Sequence, residues 1–104
     1  MDLQRTRSAI DRIDREMVGL MCERMRLAAE IAAYKRENGL PVGDPARERE
    51  ILERAAAEAG PELARYIEAF YAAVFELSKG YQTELIAAAP PLSSPEKGDR
   101  KSNV

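Results

Sequence analysis

Residues 2–38 read DLQRTRSAIDRIDREMVGLMCERMRLAAEIAAYKREN, and this stretch decides the fold. It holds no proline, its one weak helix former is Gly19, and its body is Ala, Glu, Arg, Leu and Met. The spacing predicts one unbroken helix from about Asp2 to Asn38. At 1.5 Å of rise per residue such a helix spans about 50 Å, longer than a chain of this size can bury against itself. Stepping along it by alternating fours and threes gives Leu3, Arg7, Ile10, Asp14, Met17, Met21, Arg24, Ala28, Ile31 and Lys35. Ile13, Leu20, Leu27 and Tyr34 fill in beside that line, so the helix has one continuous face. Its charged members are unusual. Structural seams carry an occasional polar residue for register, whereas Arg7, Asp14, Arg24 and Lys35 all lie on this one.

The rest of the chain supports an all-α reading. ENGLPVGDP ends the first helix: Asn38 and Gly39 supply a left-handed cap and Pro41 prevents continuation. Asp44 as N-cap and Pro45 at the first helical position start a second helix, which Gly60 and Pro61 close after about Ala59. A third helix is predicted from Pro61 or Glu62 to about Ala88, before Pro90 and Pro91. The chain has 104 residues, 45% hydrophobic and 33% charged, which suits one globular domain, here placed at residues 1–89. Residues 90–104 are rich in Pro, Ser and Lys and read as a disordered tail.

Composition also excludes chemistries. There is no histidine, so common zinc sites and Ser-His or Cys-His catalysis are ruled out. The single Cys22 gives no disulfide framework and reads as a buried small hydrophobe, and no metal is called for. The N-terminus lacks a signal-peptide pattern, and no apolar run reaches the roughly 18 residues of a membrane span. A cytoplasmic protein is expected. A net charge of -2 gives no overall drive toward nucleic acid or an anionic membrane, so any bound anion needs a local cluster.

Such a cluster emerges from all three helices. On the second helix Asp44, Arg47, Glu48, Ile51, Leu52 and Ala55 share a face, while Arg49, Glu50, Glu53 and Arg54 face the other way. The third helix has a seam of Ile67, Phe70, Tyr71, Val74, Phe75, Tyr81 and Leu85, interrupted by Ser78 and Gln82 at i and i+4. The inner polar set is then Arg7, Arg24, Lys35, Asp44, Arg47, Glu48, Ser78 and Gln82. Its surplus of positive charge suits a small dianion, with arginines gripping carboxylates and Lys35 and Gln82 donating to an oxygen that gains charge. Taken singly, each has a plainer explanation. A seam Arg or Lys can snorkel or pair between helices, Asp44 is a cap first, and Ser78 can bond its own backbone. Asp14 reads as structural, and Tyr34, Tyr71 and Tyr81 read as core.

Four stretches carry a resemblance to a known family: LQRTRSAIDRID (3–14), ERMRLAAEIAAYK (23–35), PVGDPARERE (41–50) and YIEAFYAAVFELSKGYQ (66–82). In this order and spacing the chain resembles the all-helical class of chorismate mutase over about residues 3–86. The resemblance implies an intertwined helical homodimer, built on paired first helices, with each active site completed by an arginine from the other protomer. It implies rearrangement of chorismate to prephenate by a pericyclic [3,3] shift, with no cofactor, nucleophile or base. By position, Arg24 is similar to the arginine that binds a substrate carboxylate within the chain, and Arg7 to the one donated across the dimer. Lys35 and Gln82 match the donors to the ether oxygen. Arg47 and Glu48 match the pair near the substrate hydroxyl and carboxylate, with Asp44 and Ser78 as supporting contacts. The catalytic set implied is Lys35, Gln82 and Arg24. Some relatives are fused to, or activated by, another enzyme of aromatic biosynthesis, which makes such an enzyme a candidate partner. Two alternatives stand beside this reading: isochorismate pyruvate lyase, a helical relative that forms salicylate, and a helical dimerisation module with no chemistry.

Overall fold

The computed structural model describes residues 1–91, so the tail expected at 90–104 lies almost wholly outside the described residues. The described residues form three helices, α1 (Leu3–Glu37), α2 (Pro45–Ala59) and α3 (Ala64–Ala88). No strand occurs among the described residues, so the chain is all-α as expected.

Helix ends follow local chemistry. Asp2 caps α1 by accepting from the Arg5 amide at 3.2 Å. At the other end Leu40 N–H bonds the Lys35 carbonyl at 2.8 Å and Gly39 N–H bonds the Arg36 carbonyl at 3.4 Å. With Gly39 at φ 64°, this is a Schellman closure, in which only glycine avoids a steric penalty. Asp44 caps α2 through a 3.1 Å bond from the Arg47 amide, with Pro45 next. The third helix begins later than Pro61 or Glu62. Residues 61–63 form a turn instead, with Leu63 and Ala64 amides bonding back to the Gly60 carbonyl at 3.2 and 2.9 Å.

The central element is α3, which packs against both α1 and α2. The buried apolar residues are Ala28 and Ala32 of α1, Ile51 of α2, and Val74 and Phe75 of α3. Ala28 and Ala32 stand at i and i+4, so α1 meets α3 along a strip with no side chain beyond Cβ, which brings the two backbones close. Only the C-terminal part of α1 takes part. Every residue from Met1 to Leu20 is exposed, including the apolar Leu3, Ile10, Ile13, Met17, Val18 and Leu20.

Several expectations of burial change accordingly. Arg7 and Asp14 sit on the exposed half of α1. Cys22 is exposed, because residue 22 lies off the strip that touches α3. Tyr34 is likewise open to solvent, while Tyr71 and Tyr81 are half-buried. A hydrophobic period locates an apolar stripe, but the partner's length decides how much of it is covered. Among the described residues no helix is long and apolar enough to cross a membrane.

Candidate functional site

Where the C-terminal half of α1 faces α2 and α3 lies a cleft of about 360 Å³. Leu27, Ala28, Ile31, Val42, Ile51 and Phe75 form its apolar lining. Its polar lining consists of Arg24, Lys35, Asp44, Arg47, Glu48, Ser78, Lys79 and Gln82. Seven of the eight residues singled out from sequence are in this set, and the eighth, Arg7, is not. Arg7 precedes Arg24 by 17 positions on one helix, about 25 Å of axial rise, so it cannot reach the cleft of its own chain.

At the inner end of the cleft, three side chains form a hydrogen-bonded row. Lys35 donates from Nζ to the Val42 carbonyl and, at 3.1 Å, to Gln82 Oε1. Gln82 Nε2 donates to Ser78 Oγ at 3.1 Å. Ser78 and Gln82 are buried, at 7% and 5% exposure, which requires that their polar atoms be satisfied. The row gives each of them a partner and fixes the amide's orientation. An ammonium has three N–H groups and an amide NH₂ two, so Lys35 and Gln82 each retain one donor with no partner among the described residues.

The second helix contributes differently from the sequence expectation. Glu48 does turn toward the cleft, where its Oε2 pairs with Lys79 Nζ at 3.1 Å, both side chains being partly covered. Arg47 lines the rim and is exposed, not inward. Its Nη1 reaches Glu50 Oε1 at 2.6 Å, an i,i+3 pair with both side chains more than half exposed. The face assignment placed Arg47 and Glu50 on opposite sides, but positions three apart on a helix are neighbours, and a long guanidinium stem spans the gap. Asp44 combines a place in the cleft with its capping bond.

Sequence reasoning missed Lys79. It sits between Ser78 and the glycine at 80, outside the seam, yet after Arg65 it is the single cation of α3, and that isolation was the available signal. The hydrogen bonds it donates to Glu48 first, and to Glu76 second, hold its ammonium above the ordinary 10.5, so it is charged throughout the neutral range.

The charge count follows from these contacts. Arg24, Lys35, Arg47 and Lys79 oppose Asp44 and Glu48, four cations against two carboxylates, a formal +2. Arg47 and Lys79 are engaged by glutamates, while Arg24 and Lys35 have no carboxylate within 4 Å among the described residues. The cleft therefore holds two uncompensated cations, adjacent to two free N–H donors, over an apolar floor. That arrangement is chemically suited to a small dianion and to charge growing on an oxygen placed at the row. Among the described residues no cluster of three or more metal-ligating side chains occurs.

A second cavity, of about 450 Å³, adjoins this one through Arg24 and is almost entirely apolar. Met17, Val18, Leu20 and Met21 of α1 line one side, and Phe70, Tyr71, Ala73, Val74 and Leu77 of α3 the other.

Comparison with known proteins gives a consistent result. The family model described as Chorismate mutase type II matches residues 6–83. A bifunctional chorismate mutase/prephenate dehydratase from Aquifex aeolicus is 45% identical over 53 residues, covering 51% of this chain and 15% of that protein. A chorismate mutase from Methanocaldococcus jannaschii is 40% identical over 52 residues, 50% of this chain and 52% of that one. The T-protein of Haemophilus influenzae is 37% identical over 57 residues, 55% of this chain and 15% of its own length. The matched region thus spans about half of one relative and a small part of the two others. No solved structure matches the chain significantly.

Proposed function

From the premise that this chain belongs to the chorismate mutase type II family, we propose that it catalyses the rearrangement of chorismate to prephenate, acting as an isomerase in phenylalanine and tyrosine biosynthesis. The observation that carries the reading is the uncompensated pair Arg24 and Lys35 beside the Lys35–Gln82–Ser78 row. The pericyclic shift breaks a C–O bond as a C–C bond forms, within one molecule, and needs no nucleophile. What accelerates it is confinement of a flexible dicarboxylate in the reactive chair and stabilisation of negative charge on the ether oxygen. In this reading Arg24 grips a carboxylate. The remaining N–H groups of Lys35 and Gln82 converge on the ether oxygen, and Ser78 and the Val42 carbonyl hold those donors in place. Glu48 accepts from the substrate hydroxyl, with Arg47 and Asp44 at the mouth.

The active unit in this proposal is an intertwined homodimer of the domain at residues 1–89. Two observations support it: the uncovered apolar stripe of Leu3, Ile10, Ile13 and Met17, and the apolar cavity beside Phe70 and Leu77, which a second α1 would fill. Arg7 then enters the other protomer's cleft and takes the second carboxylate. We place the enzyme in the cytoplasm on the strength of its lone, unpaired Cys22, and without nucleic-acid or membrane partners on its modest net charge. The bifunctional relative from Aquifex aeolicus supports a partner enzyme in the same biosynthesis.

Separate incubations with chorismate and with isochorismate test the proposal. Prephenate from the first is the expected product; salicylate and pyruvate from the second, with no prephenate, would replace it by the lyase reading. No turnover of either by an intact dimer would leave the helical dimerisation module.

A further inference from the structure

Glu48 poses an electrostatic problem for the cleft. A carboxylate facing a bound dianion repels it, and at the 4–6 Å of neighbouring groups that repulsion is large enough to set affinity. Among the described residues one cation contacts it. Lys79 Nζ lies 3.1 Å from Glu48 Oε2, and the same ammonium lies 3.2 Å from Glu76 Oε2, one turn earlier on α3. Glu76 is 79% exposed and Glu48 26%, so Lys79 is anchored from the solvent side and reaches into the cleft. The stem of Lys79 runs beside the loop before α2: a Cβ built on Gly43 would stand 3.9 Å from Lys79 Cδ, an ordinary van der Waals distance. Arg47, the neighbour of Glu48 on α2, is turned away to Glu50 and cannot substitute.

We infer that Lys79 is a positioning residue of the cleft, which fixes the Glu48 carboxylate in its ligand-facing orientation and offsets its charge, so that a dianion carrying a hydroxyl can be accepted beside it. This rests on the dianion reading of the cleft. The bridge from α3 to α2 also ties the two walls together at the mouth, so Glu48 presents its free oxygen from a fixed place. Lys79 acts through Glu48 and does not itself hold the substrate.

Steady-state kinetics with chorismate and calorimetric titration with prephenate, on the full-length protein, test the inference. Lys79→Met should raise KM and the prephenate Kd about five- to tenfold while kcat stays within about twofold, the pattern of lost binding common to ground and transition state. Lys79→Arg keeps the charge and donors and should restore both constants. Glu76→Gln keeps a hydrogen-bond acceptor for Lys79 on the solvent side and should change both constants by less than about twofold. In a Glu48→Gln background the carboxylate is gone, and adding Lys79→Met should then change KM less than twofold, a coupling that a double-mutant cycle reads directly. An undiminished Lys79→Met effect in that background would show direct contact with the ligand and overturn the inference. So would a matched fall in kcat and Tm with KM unmoved, which marks a merely structural pair. Wild-type protein that neither turns over chorismate nor binds prephenate would defeat the reading of the cleft itself, and this inference with it.

Discussion

The two halves of α1 carry the same kind of pattern and meet different fates. Between Arg24 and Glu37 the helix buries Ala28 and Ala32 on α3 and turns Arg24 and Lys35 into a walled cleft. Between Leu3 and Leu20 it has an equally regular apolar stripe, with Arg7 set among those residues, and all of it is exposed. At about 52 Å for 35 residues, α1 outruns the roughly 37 Å of α3, so one chain cannot cover both halves. The first half is finished by its own fold; the second needs a surface from elsewhere. The sharpest difference is functional, since the same seam supplies a cation to the local cleft in one half and, in the proposed dimer, to a distant cleft in the other.

The largest expected effect breaks this comparison outright. Lys35→Ala and Arg7→Ala should each lower kcat/KM by about 10²–10³-fold, because each removes a charged donor to the reacting dianion. Mixing the two inactive variants and refolding them together should recover about a quarter of wild-type activity, since half of the dimers are mixed and each mixed dimer has one intact site in two. Activity that does not return on mixing would place Arg7 in its own chain or outside the site.

Next come the packing surfaces. Met17→Glu on the exposed half should dissociate the proposed dimer, read as halved mass by light scattering, because a charge at an apolar interface is left unpaired. Ala28→Leu on the covered half should instead leave the mass unchanged and cost about 1–3 kcal/mol in a denaturant melt, by overpacking the close α1–α3 strip. A reversal of these two outcomes would exchange the roles of the halves.

A smaller effect tests the row in the completed half. Gln82 donates as a neutral amide at any pH, so wild-type activity should persist at neutral pH. Gln82→Glu places a carboxylate on Lys35, which favours the charged form and removes the donor. Activity at pH 8 should fall about tenfold or more, and recover toward acid pH as the carboxyl regains its proton. A flat profile for this variant would remove Gln82 from the donor role. Smallest is the helix start: Asp44→Ala should cost about 1 kcal/mol of stability through the lost bond to the Arg47 amide, and Asp44→Asn only a few tenths. An equal loss for both would mean that the carboxylate's charge, not the cap, carries the contribution.

Much of this was legible in the residues. The three helices, the Gly39 and Asp44 caps and the α1 stripe follow from rules confined to a few neighbouring positions. Seven candidate cleft residues could be chosen because polar groups on an apolar face are rare enough to notice. The orientation of Arg47 toward Glu50 was not legible, since a long side chain at a helix edge can turn either way. Lys79 was missed because its partner Glu48 lies 31 positions earlier, and no local pattern pairs them. Cys22 and Tyr34 were misplaced because residue type, or a place beside an apolar stripe, does not say which strip of the helix surface the opposing helix will cover.

By itself, then, the sequence determined the three described helices and their ends, apart from the start of α3, together with the all-α class, the absence of histidine chemistry and the positive surplus near one face. These depend on backbone propensity, capping and composition, which act over a few residues at a time. Only the tertiary structure decided which stretch of α1 is covered, how Lys35, Gln82 and Ser78 join in one row, and that Lys79 answers Glu48. Those depend on where α3 crosses its neighbours, and a crossing is set by contacts between residues far apart in the chain.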